Sequence, residues 1–507
     1  MEPAPGSAEE ITRFCELQER LARHFREVFP DRSAARTVVV IPSLSIDAYI
    51  LAKVAGVQHY EERMLSMLML LRLPRTKVVY VTSEPIDPAI VDYYLSFLSG
   101  VPAGHARQRL TLLACHDASL TTVSQKILDR PRLLRRIRAA IEDPAAAHMT
   151  CFAATDVERT LAVRLGVPLY ACDPRLQDLG SKSGSREVFK SAGVALPDGF
   201  ERLRSIDDVV DALAELKRRN PDLRKAAIKL EEGASGEGNA TFVYDGAAAG
   251  GDLHAWIRGE LPRRVKFVAA DERWDAYAAK FAQMGGIVEA WVDGADKCSP
   301  SVQCRIDPLG RVETISTHDQ VLDGDSGQIF LGSTFPAREA YRLQIQAAAA
   351  RVSAVLKQRG VLGRFGVDFV SVRDGDAWRH LAIEINLRMG GTTHPFVMLQ
   401  FLTDGAYGAA HGLFRTPRGE ARYYYASDNL TNPDYRRLTP SDLNDIAVEH
   451  DLHFHAATQQ GVVFHLIGAL SQFGKLGVLC VGDSPTSAQR LFEHTVAILD
   501  HEALRDA

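Results

Sequence analysis

The chain has 507 residues, 46% of them hydrophobic, with 59 basic against 64 acidic side chains and a net charge of −5. Such a length sets an expectation of about three domains, and the charge leaves no polybasic footprint for nucleic acid. Seven cysteines (15, 115, 151, 172, 298, 304 and 480) lie scattered without a paired Cys-x-x-Cys, so reduced, buried thiols are expected rather than disulfides or a zinc site.

In chain order, Ala8 to Val28 has helical apolar spacing (Ile11, Phe14, Leu17, Leu21, Phe25, Val28). It is read as a capping helix on the first domain, with a homodimer contact left open. No basic stretch precedes an apolar run at the N-terminus, so no secretory signal is read. The longest apolar cluster, Met64 to Leu71, is too short to span a bilayer and is placed on a helix beginning near Tyr60. A cytoplasmic location and no membrane partner are expected. Apolar runs Thr37 to Ile41, Lys77 to Thr82, Leu110 to Cys115 and Thr150 to Ala154 alternate with helical patterns. Continuous apolar strands separated by helices imply a doubly wound parallel sheet covered on both faces. The segment Ile41 to Asp47 follows the first strand, where such sheets place ligands, but it has no Gly-x-Gly-x-x-Gly.

Further along, Lys182 opens a helical segment leading to Gly193 and Pro197, and Lys229 ends a short apolar strand before the turn Gly233 to Asn239. Asp207 to Arg219 is helix-prone, Asp245 to Gly251 reads as a loop, and Val288-Glu-Ala-Trp-Val292 is a short apolar strand carrying Glu289. No Gly-x-x-x-x-Gly-Lys-Ser/Thr string occurs, which disfavours a P-loop. A long helix from Ala337 to Gln358 ends at Arg359-Gly360. Then come two adjacent strands, Gly366-Val-Asp-Phe-Val370 and Ile383-Glu-Ile-Asn-Leu-Arg388. Glu384, Asn386 and Arg388 are each two residues apart and share one strand face. Two hard carboxylates, Asp368 and Glu384, with the Asn386 amide oxygen suit Mg²⁺, or Mn²⁺ in its place. Arg388 suits a transferring phosphoryl group or an acyl phosphate. Tyr423 to Pro440 reads as a polar linker. The tail then offers strands Gly461 to Leu466 and Leu476 to Val481 and a helix Pro485 to Leu499 entered through Ser484-Pro-Thr-Ser. His453 and His455 alternate on one face, but without a third nearby ligand they are read as ordinary polar residues, as is His465.

The hairpin resembles the metal-binding end of the ATP-grasp superfamily, and the upstream lysines, glycine-rich turn and Glu289 strand follow that superfamily's chain order. Gly233 to Ala240, Ser299 to Gln303, Thr317 to Leu322, Asn386 to Pro395 and the tail from Gly461 to Ser484 resemble, more narrowly, the pheganomycin-type peptide ligases. The resemblance implies three parts: a pre-ATP-grasp domain over 1–175, an ATP-grasp core over 176–420 with a lid from about 200 to 292, and a small α+β domain over 421–507. It implies ATP as cofactor, with Lys182 and Lys229 at the phosphates and the backbone of Ser235, Gly236, Glu237 and Gly238 presenting N–H groups to a polyanion. Glu289, Ala290 and Val292 would meet the adenine, and His318 and Gln320 would face the phosphate pocket. Arg388, Asn386 and Glu384 form the catalytic set. The implied activity is ATP-dependent ligation of a small-molecule or peptide carboxylate to an amine through an acyl phosphate, as in natural-product assembly. A biotin-carboxylase-like reaction, an ATP-grasp phosphotransferase and a non-catalytic nucleotide-binding regulator remain the alternatives. The first lacks a Met-Lys-Met biotinylation string, and the last would not need the metal residues.

Overall fold

The computed structural model describes residues 2–45, 51–233, 238–246, 252–269, 271–294, 296–322 and 329–505. Its first unit is a four-stranded parallel sheet in the order Leu110–Ala114, Thr76–Thr82, Arg36–Ile41, Ala147–Cys151. Alternate residues of the two central strands feed different cores, Val38, Val40, Val78 and Tyr80 on one side and Val39, Ile41, Val79 and Val81 on the other. Burial on both faces is why these strands read as unbroken apolar runs. The fourth strand starts three residues earlier than its apolar run. His148 is buried within it, while Phe152, Ala153 and Ala154 are buried in the loop that follows.

Helix Ala8–Glu27 is capped by Ser7, whose side chain accepts from Glu10 N, and buries Phe14, Leu17 and Leu21. Phe14 joins the core of the parallel sheet and Gln18 bonds the backbone of Leu169 in both directions, so the helix packs on the first unit. The Met64 to Leu71 cluster lies on a helical segment Val57–Arg72 with tight 3-10 hydrogen bonding, its Met64, Leu65, Leu68 and Met69 in the core.

An antiparallel five-stranded sheet follows, in the order Gly199–Leu203, Gly286–Ala290, Lys225–Leu230, Asn239–Val243, Lys266–Phe267. Helices Ile206–Arg219, Leu253–Arg264 and Trp274–Met284 share its core. The third sheet has nine strands. Lys297–Cys298, Gly363–Asp374, Pro300–Ile306, Val312–Leu322, Phe330–Phe335, Tyr423–Thr431, Lys475–Gly482 and Gly461–His465 run side by side, with Ala377–Asn386 paired to Gly363–Asp374. Helix Arg342–Gln358 buries Ile345, Ala349, Val352 and Leu356 in the core beneath it.

The linker expected at Tyr423 to Pro440 is corrected: Tyr423–Thr431 is a strand bonded on both sides. Its polar character has a physical reason. A register shift between Ser427 and Leu430 bulges the strand, and the bulge re-aims Asp428 and Asn429 out of the ladder into a cavity. The tail therefore continues the central sheet, and one hydrophobic core joins it to the N-terminal sheet and to helix Thr393–Thr403. No helix among the described residues is long and apolar enough to cross a membrane.

Candidate active site

The hairpin Gly363–Asp374/Ala377–Asn386 sets Asp368 directly opposite Glu384 and Gly366 opposite Asn386. Directly opposed residues share a face, so two carboxylates emerge side by side with the amide one step along. Asn386 Nδ2 donates to Asp368 Oδ2 at 2.9 Å and Gln320 Nε2 donates to Asp368 Oδ1 at 3.0 Å. Burial, then the Glu384 charge, pushes the Asp368 carboxyl up to about 7 against the pull of Lys182, Arg388 and the Asn386 hydrogen bond. Burial also raises Glu384, but the Lys182, Arg388 and Lys229 charges outweigh it and hold that carboxyl below its usual range. Two opposed carboxylates with an amide beside them offer the hard oxygen ligands that fit a divalent cation.

Lys182 reaches Glu384 from the first turn of helix Lys182–Ser191, Nζ to Oε1 2.5 Å. Four bonds fix that helix start. Ser181 caps Gly184 N, Ser183 N and Oγ donate to the Glu231 carboxylate at 3.1 and 2.9 Å, and Ile385 N donates to Ser185 Oγ at 3.0 Å. The last bond ties the lysine helix to the metal strand. Arg388 follows that strand, its Nη1 donating to Met389 O at 3.2 Å. Among the described residues it forms no ion pair, and burial lowers its pKa against the fields of Glu384 and Asp368.

On the five-stranded sheet Lys229 Nζ lies 2.5 Å from Glu289 Oε1, and Arg186 Nη1 donates to Glu289 Oε2 at 3.0 Å. Glu289 is thus a buried carboxylate clasped by two cations. Ala290 N donates to Asp198 O at 2.7 Å, and Val292 lies just past the strand end. Ser235, Gly236 and Glu237 of the glycine-rich turn lie outside the described residues, as do Ile46 and Asp47 after the first strand. The turn's flanks are described: Gly238 has φ +80°, which favours glycine, and its carbonyl accepts from Tyr277 Oη at 3.1 Å.

A cavity of about 600 Å³ gathers Lys182, Gln320, Asp368, Glu384, Asn386 and Arg388, with Gly233 and Asn239 at its edge. Lys229, Glu289, Ala290 and Val292 are not part of its wall. Sequence patterns gave no sign of its other end. Tyr60, Arg63 and Phe152 come from the N-terminal unit, Asp428, Asn429 and Lys475 from the C-terminal strands. The register shift at 428–429, invisible in the sequence, brings in Asp428 and Asn429, and Lys475 enters opposite Thr431 on the neighbouring strand.

The reading of His318 is corrected. His318 shares the Gln320 face but is wholly buried. Its Nε2 and Tyr424 Oη are 2.7 Å apart, its ring packs against Phe335 and Tyr424, and burial lowers its pKa to about 3. Helix Thr393–Thr403 contributes Phe396 to the same aromatic cluster, so that end of the face is core rather than phosphate pocket. His394 is buried with Nδ1 2.7 Å from Arg63 O, which pins the loop after Arg388 to the N-terminal unit. His453 and His455 do have a third neighbour, Asp451, whose Oδ1 is 3.0 Å from His455 Nε2 and 3.9 Å from His453 Nδ1, but the group is solvent-exposed and remote from the cavity wall.

With this geometry in place, the family description "IQCH-like, ATP-grasp" matches residues 174–244 and 261–409, and "PGM1 C-terminal domain" matches residues 442–495. The chain is 32% identical over 470 residues to an L-propargylglycine–L-glutamate ligase from Streptantibioticus cattleyicolor, covering 91% of this chain and 94% of that one. It is 22% identical over 546 residues to IQ motif-containing protein H of Danio rerio, covering 97% of this chain but only 51% of the fish protein. Among solved structures, an ADP complex of an N5-carboxyaminoimidazole ribonucleotide synthetase superposes with a TM-score of 0.51 at 14% identity, covering 92% of this chain and 97% of that one. The last likeness establishes the fold.

Proposed function

Because the chain belongs to the ATP-grasp ligases, we propose that it joins a small carboxylic acid to an amine with ATP, by way of an acyl phosphate. One observation carries this reading. A cavity of ligand size presents two opposed carboxylates, an amide, a paired lysine and, among the described residues, an arginine without an ion-pair partner on one wall. Asp368, Glu384 and Asn386 would hold Mg²⁺, which neutralises phosphate charge when bound. Lys182, at the head of its helix, holds phosphate oxygens as a fixed positive charge. The flanks of the 233–239 turn bring backbone N–H groups towards the same polyanion. Lys229 and Glu289 act on the nucleotide from the lid, Lys229 releasing part of its charge to phosphate.

A substrate carboxylate oxygen attacks the γ-phosphorus of ATP in line, the bond to the β-phosphate oxygen breaks, and ADP departs with that electron pair. Arg388 steadies the carboxylate and then the tetrahedral oxyanion formed when the amine nitrogen attacks the acyl carbon. Breaking the carbon–oxygen bond expels phosphate, and the ammonium proton leaves to solvent. Most of the rate enhancement is positioning and electrostatics, so no side chain forms a covalent bond. In this reading residues 176–420 handle the nucleotide, while 1–175 and 421–507 close the substrate end. Amino acids or short peptides are the substrate class, as in the ligase that shares 32% of its residues. A cytoplasmic location is part of the proposal, consistent with seven free thiols.

The test is stoichiometry. Purified chain with Mg·ATP and pools of amino acids and short peptides should release ADP and phosphate in equal amounts, only when acid and amine are both present. The product should weigh their sum less water, and Glu384→Ala should abolish it. A stable phosphorylated product without condensation would instead indicate a phosphotransferase.

A further inference from the structure

Asp428, Arg63, Lys475 and Tyr60 line the same cavity as the opposed carboxylates, and none of them takes part in the phosphoryl or acyl transfer above. Asp428 sits in the strand bulge and Lys475 opens the neighbouring strand, opposite Thr431. Arg63 comes across from the helical segment Val57–Arg72 to pair with Asp428 Oδ2. Its guanidinium carbon lies 3.9 Å from the centroid of the Tyr60 ring, and Lys475 Nζ lies 4.9 Å from the same centroid.

The charges do not balance. Asp428 is committed to Arg63 and neutralises one cation; Lys475 is left over. Lys475 is 5% exposed, and among the described residues its ammonium makes no hydrogen bond and no ion pair, only the contact with the Tyr60 ring. Arg63 Nε is buried and, among the described residues, has no hydrogen-bond partner. A cation on a residue this buried, with no anion on it among the described residues, is costly unless a ligand reached through the cavity completes it. Burial already depresses the Lys475 pKa, with Arg63 adding to the effect and Asp428 opposing it. Asp428 also closes on the loop after Arg388: a Cβ at Gly391 would stand 3.4 Å from Asp428 Oδ2. The cluster therefore adjoins the arginine assigned to the reacting carboxyl.

We infer that Lys475, supported by Arg63 and Tyr60, binds a carboxylate of the substrate other than the one being activated. The ligand class is a free amino acid or a peptide with a free carboxyl terminus. This deepens the ligase reading and rests on it for the identity of the reaction, but not for the existence of the anion subsite. Asp428 fixes Arg63 so that its guanidinium, too, is offered to the carboxylate. The N-terminal and C-terminal parts thereby set specificity together, one by Arg63 and Tyr60, the other by Lys475.

The test compares wild type, Lys475→Met and Lys475→Arg with the twenty L-amino acids and their primary carboxamides as probes, each offered as the amine-bearing substrate beside a constant pool of carboxylic acids, so that amidation removes the second carboxylate and leaves the reacting one in place. ADP release is measured with Mg·ATP, and calorimetric binding with a non-hydrolysable ATP analogue. The wild type should favour acids over amides by about 100-fold, the scale of a charge-assisted contact. Lys475→Met should raise KM for the acid by about 100-fold with kcat and KM for ATP within about 3-fold, and should erase the acid–amide preference. Lys475→Arg should restore most of it. Ligand-free Lys475→Met should unfold at no lower temperature than wild type, because it removes an unpaired buried charge.

A variant that keeps the preference, or that merely loses stability, overturns the subsite. Binding that requires the carboxylate and Lys475 but gives no turnover supports the subsite and counts against the ligase reading alone. Neither binding nor turnover with any free amino acid overturns the proposed substrate class.

Discussion

Glu289→Gln is the most instructive single substitution on the five-stranded sheet. Glu289 is 3% exposed and links Lys229, at 2.5 Å, to Arg186, at 3.0 Å and itself 2% exposed. Removing one partner of a buried ion pair typically costs about 3–5 kcal/mol, because the remaining charge stays desolvated. Two features pull the figure to the low end: Arg186 keeps Glu201 at 3.3 Å, and the glutamine oxygen still accepts one bond. We expect about 3 kcal/mol, lost from the lid rather than from the whole chain. Native-state hydrogen exchange at Lys225–Leu230 and Gly286–Ala290 should show opening made easier by roughly 100-fold, at about 1.4 kcal/mol per factor of ten. KM for ATP should rise about 10-fold or more, since Lys229 loses its orienting partner. Adding Arg186→Met to Glu289→Gln should recover part of the stability without recovering KM. If Glu289→Gln changes lid exchange by less than about 2-fold, the clasp is solvated and the reasoning fails.

Asp368→Asn should lower the rate at saturating ATP by at least about 1000-fold while shifting the melting temperature by only a few degrees, because Gln320 and Asn386 still bond the amide in part. Gly391→Val should raise KM for the substrate acid far more than KM for ATP, since a Cβ there would meet Phe330 Cε1 at 2.7 Å beside Asp428. Acid should destabilise the fold through histidines buried as neutral rings: His318 and His148 at about 3, His394 at about 4. Burial lowers their folded pKa below the unfolded value of about 6.5, so the unfolded chain binds more protons and stability falls as pH drops from 6.5 toward 4. Each contributes about 1.4 kcal/mol per pH unit over that window. His318→Gln should flatten the denaturation-versus-pH slope by about one proton, and an unchanged slope would contradict the assignment.

Much of this molecule was legible in the sequence, for identifiable reasons. The hairpin was visible because Glu384, Asn386 and Arg388 alternate on a strand among apolar neighbours, and the structure sets Asp368 opposite Glu384. The parallel sheet was visible because strands buried on both faces show no alternation to hide them. What failed depends on register and distance along the chain. The Tyr423–Thr431 strand looks like a linker because its bulge exposes Asp428 and Asn429 to a cavity instead of to solvent. His318 lies on the expected face, yet strand alternation fixes only the face and not how far along it the aromatic cluster reaches. Arg63 and Asp428 are 365 residues apart, a pairing that no local pattern reports. Lys475 gives no local signal for the same reason: only the folded sheet shows that, among the described residues, no anion pairs with its ammonium.

The most direct test of acyl-phosphate ligation follows an oxygen atom. The acid substrate is labelled with ¹⁸O in its reacting carboxyl, supplied with the amine and Mg·ATP, and the released phosphate is weighed by mass spectrometry. Transfer of one ¹⁸O atom to each phosphate formed, with none in ADP and one left in the amide, is the expected result. Unlabelled phosphate alongside a normal yield of amide would contradict attack of the carboxylate on the γ-phosphorus, and with it the proposed roles of Arg388 and the opposed carboxylates.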